Sequence, residues 1–392
     1  MVSNKIRIAG RVTVVVLGGI AAWAFLPATG SFPVPPRQLP SPNAYDLYKQ
    51  SRPPQKVSKQ IEDALDRNKA SIDQMRTYLV ANSSGLTLGE RGSHMPYNYG
   101  GARSFMDYDK SYYSQVRQLS WMQVWQSRVK TADGDTEAAS RAALTSIRMG
   151  GQIPHGSGIE DALTGSKMEA RGRRCEWPLV DKLTADQARA AAMDISAIDA
   201  QEVSSADTLR EEKWMGLSSF KTGPGFLRSR ITLAHFSNHM DDLIDYADQP
   251  FNVRPKAAPV AKDKWSALFE PLSVDTCLFI RMNNHAQNAL LATSLALRAY
   301  YADHKVYPVT LQALAPAYLP QVPHDPFAPD SELKYRQDGK SYKLYSMGPD
   351  GVDDGGKPII NHINDGYLKK KMRDTRYVMP ASHGDVVAGV NF

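Results

Sequence analysis

Apolar residues recur at helical spacing through most of this chain. Ile61, Leu65, Ile72, Met75 and Leu79 place one apolar face along residues 58–81, the pattern of an amphipathic helix. Residues 82–110 carry glycines at 85, 89, 92, 100 and 101 with aromatics between them, and read as a looser stretch. Helix resumes at Ser111, with Tyr112, Val116, Leu119 and the pair Val124/Trp125 on the buried side, and again over 136–149, with Ala139, Ala142, Ala143 and Ile147. Ala132-Asp-Gly-Asp135 joins the two as the loop of an antiparallel pair. The stretch from Gly150 to Gly172 is glycine-rich but contains an apolar patch, which suits a short helix. Thr184-Ala-Asp-Gln187 then has the form of a capping box, ahead of Ala188, Ala191, Ile195 and Ile198. Helical segments follow over 205–220 and 226–247. Strand-like alternation never lasts more than a few residues between 58 and 247, so this block is all-α.

The pattern changes after Gln249–Pro259, where three prolines mark a boundary. A long helix is predicted from Asp275 to His304 and a short one from Thr310 to Ala315. A hairpin follows from Leu333 to Met347, then the acidic, glycine-rich Gly348-Pro-Asp-Gly-Val-Asp-Asp-Gly-Gly356. The expected fold is mainly α: an N-terminal hydrophobic anchor, an α-helical domain, and a small α+β domain with a long helix on an antiparallel sheet. The boundaries fall at 1–30 for the signal or anchor, 31–57 for a proline-rich spacer, 58–248 for the helical domain, 249–262 for a linker and 263–392 for the α+β domain.

Lys5, Arg7 and Arg11 precede the uncharged run Val12–Leu26. That order is an n-region and an h-region of an export signal. The run, about fifteen residues, is short beside the roughly twenty of a full membrane span. Cleavage after Gly30 and an uncleaved anchor with its positive end in the cytoplasm both fit. On either reading the rest of the chain lies in the cell envelope, as inner-membrane-anchored periplasmic domains or as a protein secreted to the periplasm. Eight prolines between Pro27 and Pro54 keep the following segment extended. Within it, Asn43-Ala-Tyr-Asp-Leu-Tyr48 is apolar enough to dock on the domain beyond.

Composition changes this picture little. The net charge of +6 comes from Lys and Arg spread along the chain, and nucleic-acid binding would need them clustered on one face, so no nucleic-acid partner is expected. Two cysteines, Cys175 and Cys277, are too few for a disulfide scaffold. One long-loop bond between them and two buried free thiols are equally open readings.

Motifs for chemistry are sparse. His235 and His239 lie four apart on a predicted helix with Asp241 and Asp242 beyond, a spacing that lets two imidazoles face one metal but lacks a third ligand. His155-Gly-Ser-Gly158 puts a serine near a histidine without a strand-turn-helix elbow. A phosphate loop and a dinucleotide fingerprint are absent. The pair Glu211/Glu212 reads as part of a solvated helix face. No catalytic or cofactor-binding set emerges. Asp350, Asp353 and Asp354, spaced by glycines, suit a hard cation such as calcium, although the spacing is not that of an EF-hand.

The order of motifs from Leu297-Arg-Ala-Tyr-Tyr-Ala-Asp-His-Lys-Val-Tyr-Pro308, through Tyr318-Leu-Pro-Gln-Val-Pro-His-Asp-Pro-Phe327 and Leu333-Lys-Tyr-Arg336, to Tyr342-Lys-Leu-Tyr-Ser-Met-Gly-Pro-Asp-Gly351 resembles the C-terminal domain of the major pseudopilin of type II secretion systems. The resemblance covers roughly the last quarter of the chain. It implies a helix packed on a small antiparallel sheet and a calcium ion in the loop after the last strand. Asp350 matches the aspartate of that family's Gly-Ala-Asp-Gly turn, and Asp385 corresponds to a later acidic ligand across an insertion of about twenty-five residues. Two features depart from the family. The position five residues after Gly10 is Val15 rather than Glu, and the hydrophobic segment lies far upstream of the pilin-like helix instead of forming its first half. The proline-rich spacer, Asn43-Ala-Tyr45, the helical block and Cys175-Glu-Trp-Pro178 resemble uncharacterised exported bacterial proteins that end in the same module.

The expectation is therefore a non-catalytic exported envelope protein acting in assembly, interaction or secretion. It would be held at the inner membrane by its N-terminal segment and engage protein partners. Two alternatives stand beside it: a periplasmic hydrolase with a site around His155 or His235/His239, and a periplasmic ligand-binding sensor that uses the aromatic region from Tyr97 to Tyr113.

Overall fold

The computed structural model describes residues 39–51, 57–100, 110–222, 230–254, 257–261, 274–363 and 373–391. The expected anchor, Val12–Leu26, lies outside these residues, as do 31–38 and 52–56 of the proline-rich spacer. Among the described residues no helix is long and apolar enough to cross a membrane. The protein is mainly helical, with short antiparallel strands near its C-terminus.

The helices are α1 (Ala44–Lys49), α2 (Lys59–Asp66), α3 (Ile72–Ala81), α4 (Ser83–Ser93), α5 (Lys110–Ala132), α6 (Thr136–Gln152), α7 (Ile159–Glu176), α8 (Ala185–Ala200), α9 (Ser205–Thr222), α10 (Arg230–Ala247) and α11 (Val274–His304). Local chemistry sets many of their ends. Thr184 and Gln187 form the expected capping box at α8, and Ser71 and Gln74 form a second at α3; such caps contribute about 1 kcal/mol each. The single face expected over 58–81 is broken at Asn68, whose positive φ of 53° separates α2 from α3.

Two stretches, one read as loose and the other as a short helix, are regular helix. Residues 83–93 form α4, because Gly85, Gly89 and Gly92 lie where α5 and Tyr48 come close: a Cβ on Gly92 would sit 2.2 Å from the Tyr48 ring. The glycine-rich 150–172 region likewise ends α6 and carries most of α7. There the two helices approach until a Cβ on Gly165 would meet the Gly150 carbonyl oxygen at 2.3 Å. Glycine costs about 1 kcal/mol of helix propensity at such positions, and the close packing it permits offsets that cost.

Strands β1 (His324–Asp325) and β2 (Ala328–Glu332) make one antiparallel pair. The expected hairpin is β3 (Lys334–Asp338) with β4 (Ser341–Ser346), in register from Lys334 opposite Tyr345 to Asp338 opposite Ser341. On its other side β4 pairs with β7 (Val386–Val387), and β5 (Asn361–Ile363) pairs with β6 (Arg373–Thr375). The Tyr335 hydroxyl donates to the Pro308 carbonyl at 2.7 Å and the Gln337 amide to the Tyr307 carbonyl at 2.9 Å, pinning the end of α11 to the hairpin.

Helix α11 is the spine. Nearly every position from Asn284 to Leu297 is buried. One core joins its Leu290, Leu291, Leu295 and Leu297 to Ile195 of α8 on one side and to Leu344, Ile359 and Val386 of the strand region on the other. A second core gathers Phe236, Met240 and Leu243 of α10 with Leu278 of α11, and a third holds α1, α3 and α5 around tyrosines packed edge-to-face or tilted against one another. The expected docking of Asn43–Tyr48 is part of that third core: Asn43 caps α1, while Tyr45 and Tyr48 are buried.

Candidate functional site

The largest concentration of charge inside the protein lies where α7, α8 and α11 meet. Helix α7 supplies Glu169 and Arg173, four residues apart; α11 supplies Arg281, Asn284, His285 and Asn288, one helical stripe; the end of α8 and the turn beyond it supply Asp199 and Glu202. Arg173 donates to the side-chain carbonyls of Asn284 and Asn288, the latter at 2.7 Å, and stands 3.6 Å from Glu169. Asn288 returns its amide to Glu169 at 2.9 Å and Asp199 at 3.2 Å. The two ring nitrogens of His285 are both engaged, Nδ1 2.9 Å from Asp199 and Nε2 2.8 Å from Glu202. Arg281 lies 3.5 Å from Glu202 and donates to the Val203 carbonyl.

Burial dominates the electrostatics here. Loss of water, then the neighbouring charge of Glu202, raises the Glu169 carboxyl to about 7 despite Arg173. Burial would raise Glu202 as well, but the His285 ring and the two arginines override it and hold that carboxyl at about 2. Burial acts to lower His285, and Glu202 with Asp199 reverse this and lift it well above the ordinary imidazole range. The cluster thus sets Arg173, Arg281 and a protonated His285 against Asp199, Glu202 and a Glu169 carboxyl that takes up a proton near neutral pH.

Asp199, Glu202 and His285 are also the one set of three potential metal ligands that comes together among the described residues. The donor chemistry does not fit a cation. Each imidazole nitrogen already faces a carboxylate, and Arg281 shares Glu202, so a divalent ion would first have to displace a proton and then sit beside a fixed guanidinium. We read the cluster as an ionic clamp between three helices. The sequence carried a signal for it, since Arg281, Asn284, His285 and Asn288 follow the i, i+3, i+4, i+7 spacing of a single stripe along the helix.

A cleft opens on the other side of α8. Its volume is about 550 Å³, and its walls include His94, Tyr97, Arg148, His155, Asp194 and Ile198. Gln152 fixes its rim by donating to the carbonyls of Gly92, Ser93 and Met95 at 3.1, 3.0 and 2.8 Å, and it accepts from the Tyr48 hydroxyl at 2.7 Å. Arg148 pairs with Asp194 at 2.9 Å and lies 3.1 Å from Nε2 of His94. Because a guanidinium only donates, that nitrogen accepts. Burial, then Arg148, lowers His94; burial lowers His155, whose ring bonds the backbone of Gln201.

The residues singled out by sequence are dispersed. His155 reaches the cleft, whereas Ser157 is buried and donates to the Ile153 carbonyl at 2.7 Å. His239 is buried in α10, His235 is half-buried, and Asp241 is taken by Lys213 at 2.6 Å. Glu212 does not belong to a solvated face. It accepts from the Ile159 amide at 3.0 Å at the start of α7, where Gly158 leaves room for its carboxylate. Of the aromatic region from Tyr97 to Tyr113, whose residues 101–109 lie outside the described ones, Tyr99, Tyr112 and Tyr113 are core residues, while Tyr97, also mostly buried, forms part of the cleft wall. The Tyr112 hydroxyl donates to Tyr97 at 2.9 Å and that of Tyr113 to buried Asp161 at 2.6 Å. Cys175 and Cys277 are free thiols, and burial raises Cys277 to about 11.

The acidic loop is organised by its own carboxylates. Asp385, fully buried, accepts from the amides of Gly356 at 2.7 Å, Lys357 at 3.2 Å and Asp354 at 3.4 Å. Asp350 accepts from the Val352 and Gly384 amides, each at 3.2 Å, and Asp353 accepts from the Tyr345 hydroxyl at 2.9 Å and the Gly355 amide at 3.0 Å. Asp354 is exposed. Asp385 and Asp350 thus tie the loop to the segment 384–385 across the insertion. No family model, curated protein or solved structure matches the chain.

Proposed function

We propose that the chain is a non-catalytic protein of the bacterial cell envelope, held at the inner membrane by its N-terminal hydrophobic segment, in which a pseudopilin-like C-terminal unit braces a helical module that engages protein partners in assembly or secretion. The observation that supports this reading is the commitment of α11. A helix that polymerises must offer one half to other subunits, yet the first half of α11 is enclosed by α7, α8 and α10 and holds the ionic clamp. The unit is then a fixed part of one molecule rather than a filament subunit. Calcium at Asp350, Asp353 and Asp354 near Asp385 would have to draw these carboxylates together, since they do not stand at ligand distance of one another without it, and would then stiffen the loop beside the last strand.

The test is fractionation of cells expressing the full chain, protease treatment of spheroplasts, and assay of the purified protein against ester, phosphoester and peptide substrates. The expected result is a membrane-associated protein cut from outside and inactive on the substrates. Recovery in the cytosol, or turnover that vanishes in His155→Ala, overturns the proposal.

A further inference from the structure

Three features other than the loop and the clamp could have a use: the cleft beside α8, the histidine pair on α10, and the free thiols. The histidine pair lacks a third ligand among the described residues, and of the thiols Cys277 is buried and Cys175 half-buried, with burial pushing its pKa up. The cleft differs because its walls carry opposite charges side by side and its rim is fixed.

The geometry points to the cleft as a binding site for a small zwitterion with an apolar body, an amino acid or a short peptide with free termini. Its volume of about 550 Å³ falls within the range of small-molecule sites, roughly 300–1,000 Å³. Met95, Pro96, Ala197 and Ile198 provide apolar wall. The polar groups define the ligand's ends. Arg148, with its side chain 15% exposed, is directed to Asp194, which is 50% exposed. A ligand carrying an anion alone would take Arg148 and leave its own charge against Asp194. One carrying a cation alone would take Asp194 and leave a largely buried guanidinium with only the neutral Ser93 hydroxyl and His94 ring as partners, which is costly. A zwitterion opens the pair and gives each member a new partner, the carboxylate a planar two-donor fork and the ammonium a carboxylate. The neutral imidazoles of His94 and His155 add no net charge.

The cleft is also formed in advance. The two amide hydrogens of Gln152, one of them shared, hold three carbonyls of the 92–95 segment, and the Tyr48 hydroxyl holds Gln152 in turn, so the rim need not be ordered on binding. This inference goes beyond the envelope reading and does not depend on it.

The test is titration calorimetry and thermal unfolding of the full chain in detergent with leucine and leucyl-leucine, against N-acetyl-leucine and leucinamide. The zwitterions are expected to bind and raise the melting temperature. Each blocked analogue should bind at least about tenfold more weakly, since each loses one charged pair. Asp194→Asn, a surface-facing change, should weaken zwitterion binding by a similar factor while narrowing the gap to N-acetyl-leucine. Arg148→Lys should keep the fold and lose much of the preference for a free carboxylate. Absence of binding by either zwitterion, equal binding of N-acetyl-leucine, or affinity unchanged in Asp194→Asn overturns the proposal.

Discussion

Replacing Glu176 by glutamine should flatten the pH dependence of the protein's stability. Glu176 ends α7, is fully buried, and accepts from the Ser140 hydroxyl of α6 at 2.7 Å through one oxygen, while the other has no hydrogen-bond partner. Burial raises its carboxyl from 4.5 to about 7, opposed only by Ser140. An acid whose value is higher in the folded state binds its proton more tightly there. Its contribution is therefore complete below about pH 4.5 and is lost as pH rises through about 7. At about 1.36 kcal/mol per pH unit, the loss between about pH 5 and about pH 8 comes to roughly 2–3 kcal/mol. Glutamine keeps the acceptor for Ser140 and does not titrate.

The assay is urea unfolding followed by tryptophan fluorescence, wild type and Glu176→Gln in parallel at several pH values. Glu169, also near 7, is present in both proteins and cancels in the difference. A gap that moves in favour of the variant by roughly 2–3 kcal/mol toward alkaline pH, with unchanged denaturant slope, is expected. A gap independent of pH would refute the reasoning, because Glu176 would then not be a protonated buried acid.

Arg173→Met should cost about 3–5 kcal/mol in thermal or urea unfolding, since it strands Glu169, and adding Glu169→Gln should recover a substantial part. Gly165→Ala should destabilise by about 1–3 kcal/mol through overpacking against the Gly150 carbonyl, measured the same way. Asp385→Ala should cost about 1–3 kcal/mol by leaving buried amides of the acidic loop unpaired. If calcium occupies that loop, millimolar calcium will raise the melting temperature over that in chelator, and Asp350→Ala will remove the difference.

What the sequence determined by itself was periodicity and local chemistry. The apolar spacing of α5, α6, α8 and α11, the capping box at Thr184, and the strand-turn-strand pattern from Leu333 to Met347 are interactions among residues close in the chain, so they can be read from the chain. The glycines of α4 and of the α6–α7 contact misled for the same reason. Their cost is local, while their benefit, a neighbouring helix at less than side-chain distance, exists only in three dimensions. The ionic clamp shows the limit most clearly. Glu169, Glu202 and His285 are distant in sequence, and neither the helical Glu169 and His285 nor Glu202 in the turn beyond α8 shows its partners by position alone. Only the crossing of α7, α8 and α11 brings them together, Glu169 and the Glu202 carboxylate buried and His285 partly exposed, where the loss of water favours charges that pair. The cleft is of the same kind, since Arg148 and Asp194 meet only because α6 and α8 pack side by side.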